Sequence, residues 1–301
     1  MRELNSKVRV TTLPSLHCGL PVIGGVRLAP SALHVMIRRM IRILHLADVH
    51  LGASYSSFGD LAEERGRQVV SAFQELPRIA EENAVDAVVV VGDLFDVPRP
   101  EERIAAVARE TVRRLLEIVP GVLLVPGNHD PLVFPGSPYA TLPAGAHVFT
   151  VAEFGEPVSV ETESGPVHFY GLAYDFSHNP RPLRGFRRSD AEGTHVMLLH
   201  GAVRDAPHWS GGDSLRLEPS ELAEIQVDYI ALGDYHRYRP PERFAADGSV
   251  PACYSGSFAA LDHTESGPRG VVIAEVRAGE PVTTQLVPSG VPPVQAIEDF
   301  D

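Results

Sequence analysis

The chain has 301 residues, 44% of them apolar and 22% charged, the profile of an ordinary globular protein with room for one large domain or two small ones. No apolar run approaches the roughly 20 residues that span a bilayer, so no membrane contact is expected. The two cysteines, Cys18 and Cys253, exclude a disulfide framework and fit a reducing, cytoplasmic setting. The net charge of −13 is uneven: residues 1–39 carry +5 and the rest −18, so charge alone argues against nucleic acid unless metal ions or a local basic patch intervene.

Residues 1–39 are broken by Pro14, Pro21, Gly24, Gly25 and Pro30 and lack the apolar core and cleavage site of a signal peptide. They read as a disordered or non-native extension, with Met40 as the expected natural start. MIRILHLADVHLG, residues 40–52, reads as a buried strand that stops on Asp48-x-His50. Residues 61–83 follow with apolar side chains at helical spacing (Leu61, Val69, Phe73, Leu76, Ile79, Ala80) and Pro77 as a kink. Ala87–Val91 is a β-branched run suited to a strand buried on both faces, and it ends at Gly92-Asp93. A second amphipathic helix is predicted over 101–118, opened by Glu101 and Glu102. The strand Val122–Val125 then ends in Pro126-Gly-Asn-His-Asp130. Strand alternating with helix in this way predicts a mostly parallel sheet in an α/β fold.

The second half changes character. Short alternating runs over 147–172 suggest antiparallel strands and hairpins. His195–Leu199 ends at His200-Gly201, a Gly-rich loop follows over 207–214, and a short helix is expected near 219–225. Tyr229–Leu232 ends in Gly233-Asp234-Tyr235-His236. Strands over Ala252–Tyr254, Gly270–Val276 and Val282–Leu286 complete the sheets, and a flexible tail is expected over 288–301.

Five strand ends therefore present residues that bind metal: Asp48 and His50, Asp93, Asn128 and His129, His200, and Asp234 with His236. Open α/β sheets form their sites at the carboxyl ends of strands, so residues this far apart can converge. Carboxylate, imidazole and amide oxygen suit Mn, Fe or Zn, and their number suits two cations sharing one Asp. Each motif alone has an ordinary reading as a turn or a solvated loop. Gly-Asn-His-Asp is more specific, since polar residues directly after an apolar strand have no packing use.

In that order the motifs resemble the calcineurin-like metallophosphoesterases. MIRILHLADVHLG, DYIALGDYH and YSGSFAALDHTESGPRGVVIAEV (254–276) are similar to the narrower SbcD type, the nuclease subunit of bacterial SbcCD DNA-repair complexes. The resemblance covers about residues 40–287. It implies a four-layer α/β/β/α sandwich and a DNA phosphodiesterase, exonuclease or endonuclease, with two divalent ions, usually Mn. It places Asp48, His50 and His236 on the first metal with Asp93, which bridges. It places Asn128, His200 and position 234 on the second, and His129 near the leaving group without binding metal, where as the catalytic residue it can donate a proton or a charge-assisted hydrogen bond to the departing oxygen. Asp130 is a candidate to orient that imidazole or, alternatively, to cap a turn.

Two departures qualify this picture. The family usually has Gly-His-x-His where this chain has Gly233-Asp234-Tyr235-His236. Asp ligates Mn or Fe through oxygen, so a working site with altered metal preference is expected; an Asp234 turned away would leave a weak second site and a non-catalytic partner. SbcD-type proteins also continue into a DNA-capping domain and a segment that docks on an SbcC-type ATPase, whereas this sequence stops soon after the last core strand. That leaves a small-molecule phosphodiesterase, for instance of cyclic nucleotides, as the alternative. For DNA, the candidate contacts are Arg237 and Arg239 beside the metal motif, Arg184 in the basic stretch HNPRPLRGFRR (178–188), and Trp209 on the Gly-rich loop. A homodimer is a further expectation from the family.

Overall fold

A computed structural model describes residues 40–132, 136–174, 181–204, 214–245, 247 and 249–295. The expectations for residues 1–39 and Trp209 lie outside the described residues.

The first half alternates strand and helix. Strand β1 (Ile41–Leu46) leads into α1 (Ala62–Gln74) and α2 (Leu76–Glu82), β2 (Ala87–Val91), α3 (Glu102–Leu115), β3 (Val122–Val125) and β4 (Ala146–Val148). The helix predicted over 61–83 is two helices parted at Glu75. Pro77 sits in the first turn of α2, where its missing N–H costs nothing. The second half supplies β5 (Val158–Thr162), β6 (Gly165–Leu172), β7 (Thr194–His200), β8 (Ala202–Val203), β9 (Arg216–Leu217), α4 (Pro219–Glu224), β10 (Tyr229–Gly233), β11 (Ala252–Tyr254), β12 (Gly270–Val276) and β13 (Thr283–Pro288).

These strands build two sheets. The first runs β13-β12-β1-β2-β3-β4 and the second β11-β10-β7-β6-β5, with β8 and β9 as a small separate pair. Parallel pairing runs from β1 to β4 and from β6 through β7 and β10 to β11; antiparallel pairing is confined to β12, β13 and the β5–β6 hairpin. The antiparallel expectation over 147–172 thus holds for β5 with β6 but not for β4, which extends the parallel sheet beside β3.

The period of two in each strand assigns the layers. Ile41 and Ile43 of β1, Val89 and Val91 of β2, Phe169 of β6 and Leu198 of β7 meet between the sheets. The alternate residues Leu44, Leu46, Val88 and Val90 pack outward against Val69, Phe73, Ile104 and Val112 of α1 and α3. On the far side, Met197, Leu199, Ile230 and Leu232 pack under Leu222 of α4. The predicted four-layer α/β/β/α sandwich is therefore the fold, with α4 in the fourth layer among the described residues. All five side chains of β2 are buried, which is why its sequence is a continuous apolar run without alternation.

The tail expected from residue 288 begins inside β13. Its described part stays on the body: the Arg65 guanidinium donates to Pro292 O at 2.6 Å, and Val294 bridges to Ser266. Among the described residues no helix is long and apolar enough to cross a membrane.

Candidate metal centre

The carboxyl ends of β1, β2, β3, β7 and β10 point the same way, and the residues that follow them meet there. Three sets bring ligand-type atoms within 4.8 Å of one another: Asp48 with His50 and His236, Asp48 with Asp93 and His200, and His50 with Asp93 and His129. Asp93 is the link. Its Oδ2 lies 3.6 Å from His50 Nε2 and 3.4 Å from His200 Nε2. Around His200 Nε2 the other oxygens are Asn128 Oδ1 at 2.9 Å and Asp234 Oδ1 at 3.8 Å.

The backbone pays for this convergence. Asp48, His50, Asp93 and Asp234 have φ of 50°, 49°, 51° and 92°, the left-handed region that non-glycine residues rarely occupy. Strain of this kind persists where surrounding contacts impose it, and it concentrates at functional sites. Here the contacts are Val49 N and His50 N donating to Asp93 O, Phe258 N donating to Asp48 O, and Asp234 N donating to both Asp48 carboxylate oxygens at 3.1 Å. Two glycines permit the close approach. A Cβ on Gly92 would collide with the His200 ring, and one on Gly127 with the Asp93 carboxylate.

Each imidazole is oriented by its second nitrogen. His50 Nδ1 donates to Asp96 Oδ1 at 3.0 Å, His236 Nδ1 to Glu265 Oε1 at 2.7 Å, His200 Nδ1 to Val91 O at 2.9 Å and His129 Nδ1 to Asp96 O at 3.1 Å. Every partner is acceptor-only, so each Nδ1 carries a proton, and Nε2 of His50 and of His200 faces Asp93. His50 Nε2 is buried and has no hydrogen-bond partner. A buried nitrogen left without a partner among carboxylates, in a set free of thiolate, fits a divalent cation of the Mn, Fe or Zn kind.

Electrostatics ties the cluster together. Burial raises Asp48 above the usual carboxylate range, opposed by the imidazoles of His200 and His236. For Asp93 the burial penalty is outweighed by His200, His50 and His129, which hold its carboxyl below the ordinary range. His200 is pushed the other way: burial opposes its charge, but Asp93, Asp48 and Asp234 raise it well above the ordinary imidazole value.

Residues 41–238 match the family described as Calcineurin-like phosphoesterase. The chain belongs to that family. Among relatives, the DNA double-strand break repair protein Mre11 of Aeropyrum pernix is 40% identical over 231 residues, 72% of this chain and 53% of that protein. The protein of the same name from Saccharolobus solfataricus is 35% identical over 220 residues, covering 71% and 53%. The SbcD component of the Bacillus subtilis nuclease SbcCD is 26% identical over 290 residues, covering 85% and 72%. The chain spans about half the length of most Mre11 proteins it matches. The resemblance drawn from the sequence motifs is thus borne out, both for the family and for likeness to SbcD-type nucleases.

For this calcineurin-like phosphoesterase, the structure gathers Asp48, His50, Asp93, Asn128, His129, His200, Asp234 and His236 at one place. Asp234 Oδ1, 3.8 Å from His200 Nε2, accepts from Ser214 Oγ at 2.7 Å. Of the two readings of Asp130, its contacts favour the turn: it is buried, raised to about 6 by burial, and accepts from Phe95 N, Gly127 N and Tyr139 Oη, tying the loop after β3 to the loop after β2. Arg184 lines a surface hollow of about 720 Å³ with Phe186 and Glu221 near α4, and no residue of the cluster lines it. Arg237 is exposed next to His236. The Arg239 guanidinium lies 4.2 Å over the Phe244 ring and donates to Arg243 O. Asp96 and Glu265, which hold His50 and His236, were not singled out by the sequence. Asp96 had a weak signal in its place three residues after Asp93; Glu265 had none.

Proposed function

We propose that this chain is a DNA phosphodiesterase of the SbcD and Mre11 type, working with two divalent cations, Mn by first choice and Fe or Zn through the same donors. Asp48, His50 and His236 hold one cation with Asp93; Asn128, His200 and Asp234 hold the other with Asp93. The observation that carries this reading is Asp93 Oδ2 lying between His50 Nε2 and His200 Nε2, at 3.6 and 3.4 Å. Two cations in such a site supply the charge that neutralises a phosphodiester and readies water for attack. His129 is exposed at the rim with its Nδ1–H engaged by Asp96 O, and in its imidazolium form it would carry a second proton on Nε2 to give to the leaving oxygen. The names of the relatives support DNA as the substrate. Arg237, at the edge of the cluster, is the basic side chain best placed for a phosphate; Arg239 is engaged by Phe244. An SbcC-type ATPase partner, a homodimer and a cytoplasmic location belong to the same proposal.

A small-molecule phosphodiesterase is the second reading, favoured by the net charge of −13. A panel of single-stranded DNA, duplex DNA with ends, a cyclic nucleotide and an aryl phosphodiester, run on protein reconstituted with Mn, separates the two. DNA turnover lost in Asn128→Ala is the expected result. Cyclic-nucleotide turnover without DNA cleavage supports the second reading, and inactivity on all four with two ions bound points to a non-catalytic partner.

Asp234 makes the second position rich in oxygen, with His200 its single nitrogen donor. Replacing it by His adds a borderline ligand, so Asp234→His is expected to raise Zn over Mn uptake roughly tenfold. Metal content after equilibration with equal amounts of both ions measures this. An unchanged ratio would remove Asp234 from the ligand set.

A further inference from the structure

The segment 254–276 contributes none of the ligands proposed above, yet it encloses one side of the cluster. Ser257 N donates to His236 O at 3.1 Å, and Phe258 N donates to Asp48 O at 3.2 Å, so this segment holds the backbone of two candidate ligands. Ala47 bridges to Ser257 as well. Glu265 then reaches the His236 side chain, accepting from Nδ1 at 2.7 Å. Its other oxygen accepts from Leu261 N at 3.0 Å and lies 3.8 Å from Arg269 Nη2. Arg269 is itself buried and donates to Ser257 Oγ at 3.0 Å. Glu265, Arg269, Ser257 and His236 therefore close a ring of polar contacts within one fold element and its target.

The two halves of the cluster differ in what stands behind their histidines. His50 and His236 are each backed by a carboxylate, Asp96 and Glu265. His200 is backed by the neutral carbonyl of Val91. A carboxylate behind a ligating imidazole fixes the tautomer and raises the basicity of the ligating nitrogen more than a carbonyl does, and losing such a partner costs about 10–100-fold in metal affinity.

We propose that Glu265 is a positioning residue that makes the Asp48–His50–His236 set the tighter of the two cation positions, so that it fills first. This rests on the two-cation reading given above. The test is a titration of metal-free protein with Mn²⁺, followed by calorimetry and by the electron paramagnetic resonance of the ion, with thermal melting of the metal-free protein alongside. Wild type is expected to take up two ions in separate steps. Glu265→Ala is expected to weaken the first step about 10–100-fold and leave the second unchanged. Glu265→Gln keeps an acceptor oxygen for Nδ1–H but not the charge, so it is expected to recover part of that loss, with the first step roughly three- to tenfold weaker than wild type. This isosteric variant carries the test where Glu265→Ala fails to fold. An unmoved first step in the variants overturns the proposal, as does equal weakening of both steps with a lowered metal-free Tm and no recovery in Glu265→Gln. Two ions in wild type with an unmoved variant sink this proposal alone; a wild type that takes up no ion sinks the two-cation reading and this proposal together.

Discussion

Replacing His129 by Ala is expected to lower kcat on the best substrate of the panel by about 10²–10⁴-fold, the usual contribution of a positioned general acid, while two ions remain bound. The separation of these effects follows from geometry. His129 packs edge-on against the His50 ring, with centroids 4.6 Å apart, and its backbone N donates to Asp93 Oδ1 at 2.9 Å. The backbone contact survives truncation of the side chain, so the hold on Asp93 is kept. The lost part is the imidazole of an exposed side chain, with its Nε2. The structure admits a rival reading, because His129 closes a set with His50 and Asp93 within 4.8 Å. If His129 is a ligand, metal content falls together with activity. Measuring both on the same preparation decides between proton donor and ligand. A substrate whose leaving group needs no proton sharpens the result: an activated aryl diester should lose far less rate than DNA.

The candidate site was legible because its residues sit where a strand stops. Apolar runs ending on Asp48-x-His50, Gly92-Asp93, Asn128-His129, His200 and Asp234-x-His236 need no tertiary information beyond the rule that parallel strands open their carboxyl ends together. The partners behind the ligands were not legible. Glu265 lies in HTESGPRG, which has the composition of a solvated loop, and only the fold carries that loop to His236. Asp130 was legible only as a choice between orienting His129 and capping a turn. Its place beside His129 in sequence suggested a shared task, but the turn after β3 sends the two side chains to different neighbours, Asp96 O for one and Tyr139 Oη for the other. The glycines were legible as turn residues, yet the reason they are needed is the His200 ring beside Gly92 and the Asp93 carboxylate beside Gly127. The sheets were read well where burial is complete, as in β2, and poorly at β4. Three residues there cannot show whether the partner runs parallel or antiparallel, and β8 and β9, of two residues each, leave no periodicity to read.

Removing the Asp93 carboxylate is expected to have the broadest effect, because both halves of the cluster face it. In Asp93→Ala the ion count should fall from two to at most one, and activity by at least the ~10²–10³-fold that loss of one preorganised electrostatic contact costs. Stability gives an independent reading. Any ion that binds the folded state alone stabilises it, by about 2.7 kcal/mol at a concentration 100 times the Kd. Wild-type Tm should therefore rise on adding Mn²⁺, and that rise should shrink in the variant. Asp93→Asn separates charge from shape. It keeps an oxygen to accept from His129 N, now at 2.9 Å, and so preserves the loop after β3, but it removes the anion that holds His200 in its raised state. If Asp93 acts as a shared ligand, Asp93→Asn loses metal nearly as fully as Asp93→Ala while its metal-free Tm stays closer to wild type. If Asp93 only braces the loop, Asp93→Asn behaves as wild type in metal uptake, and the shared-ligand assignment fails.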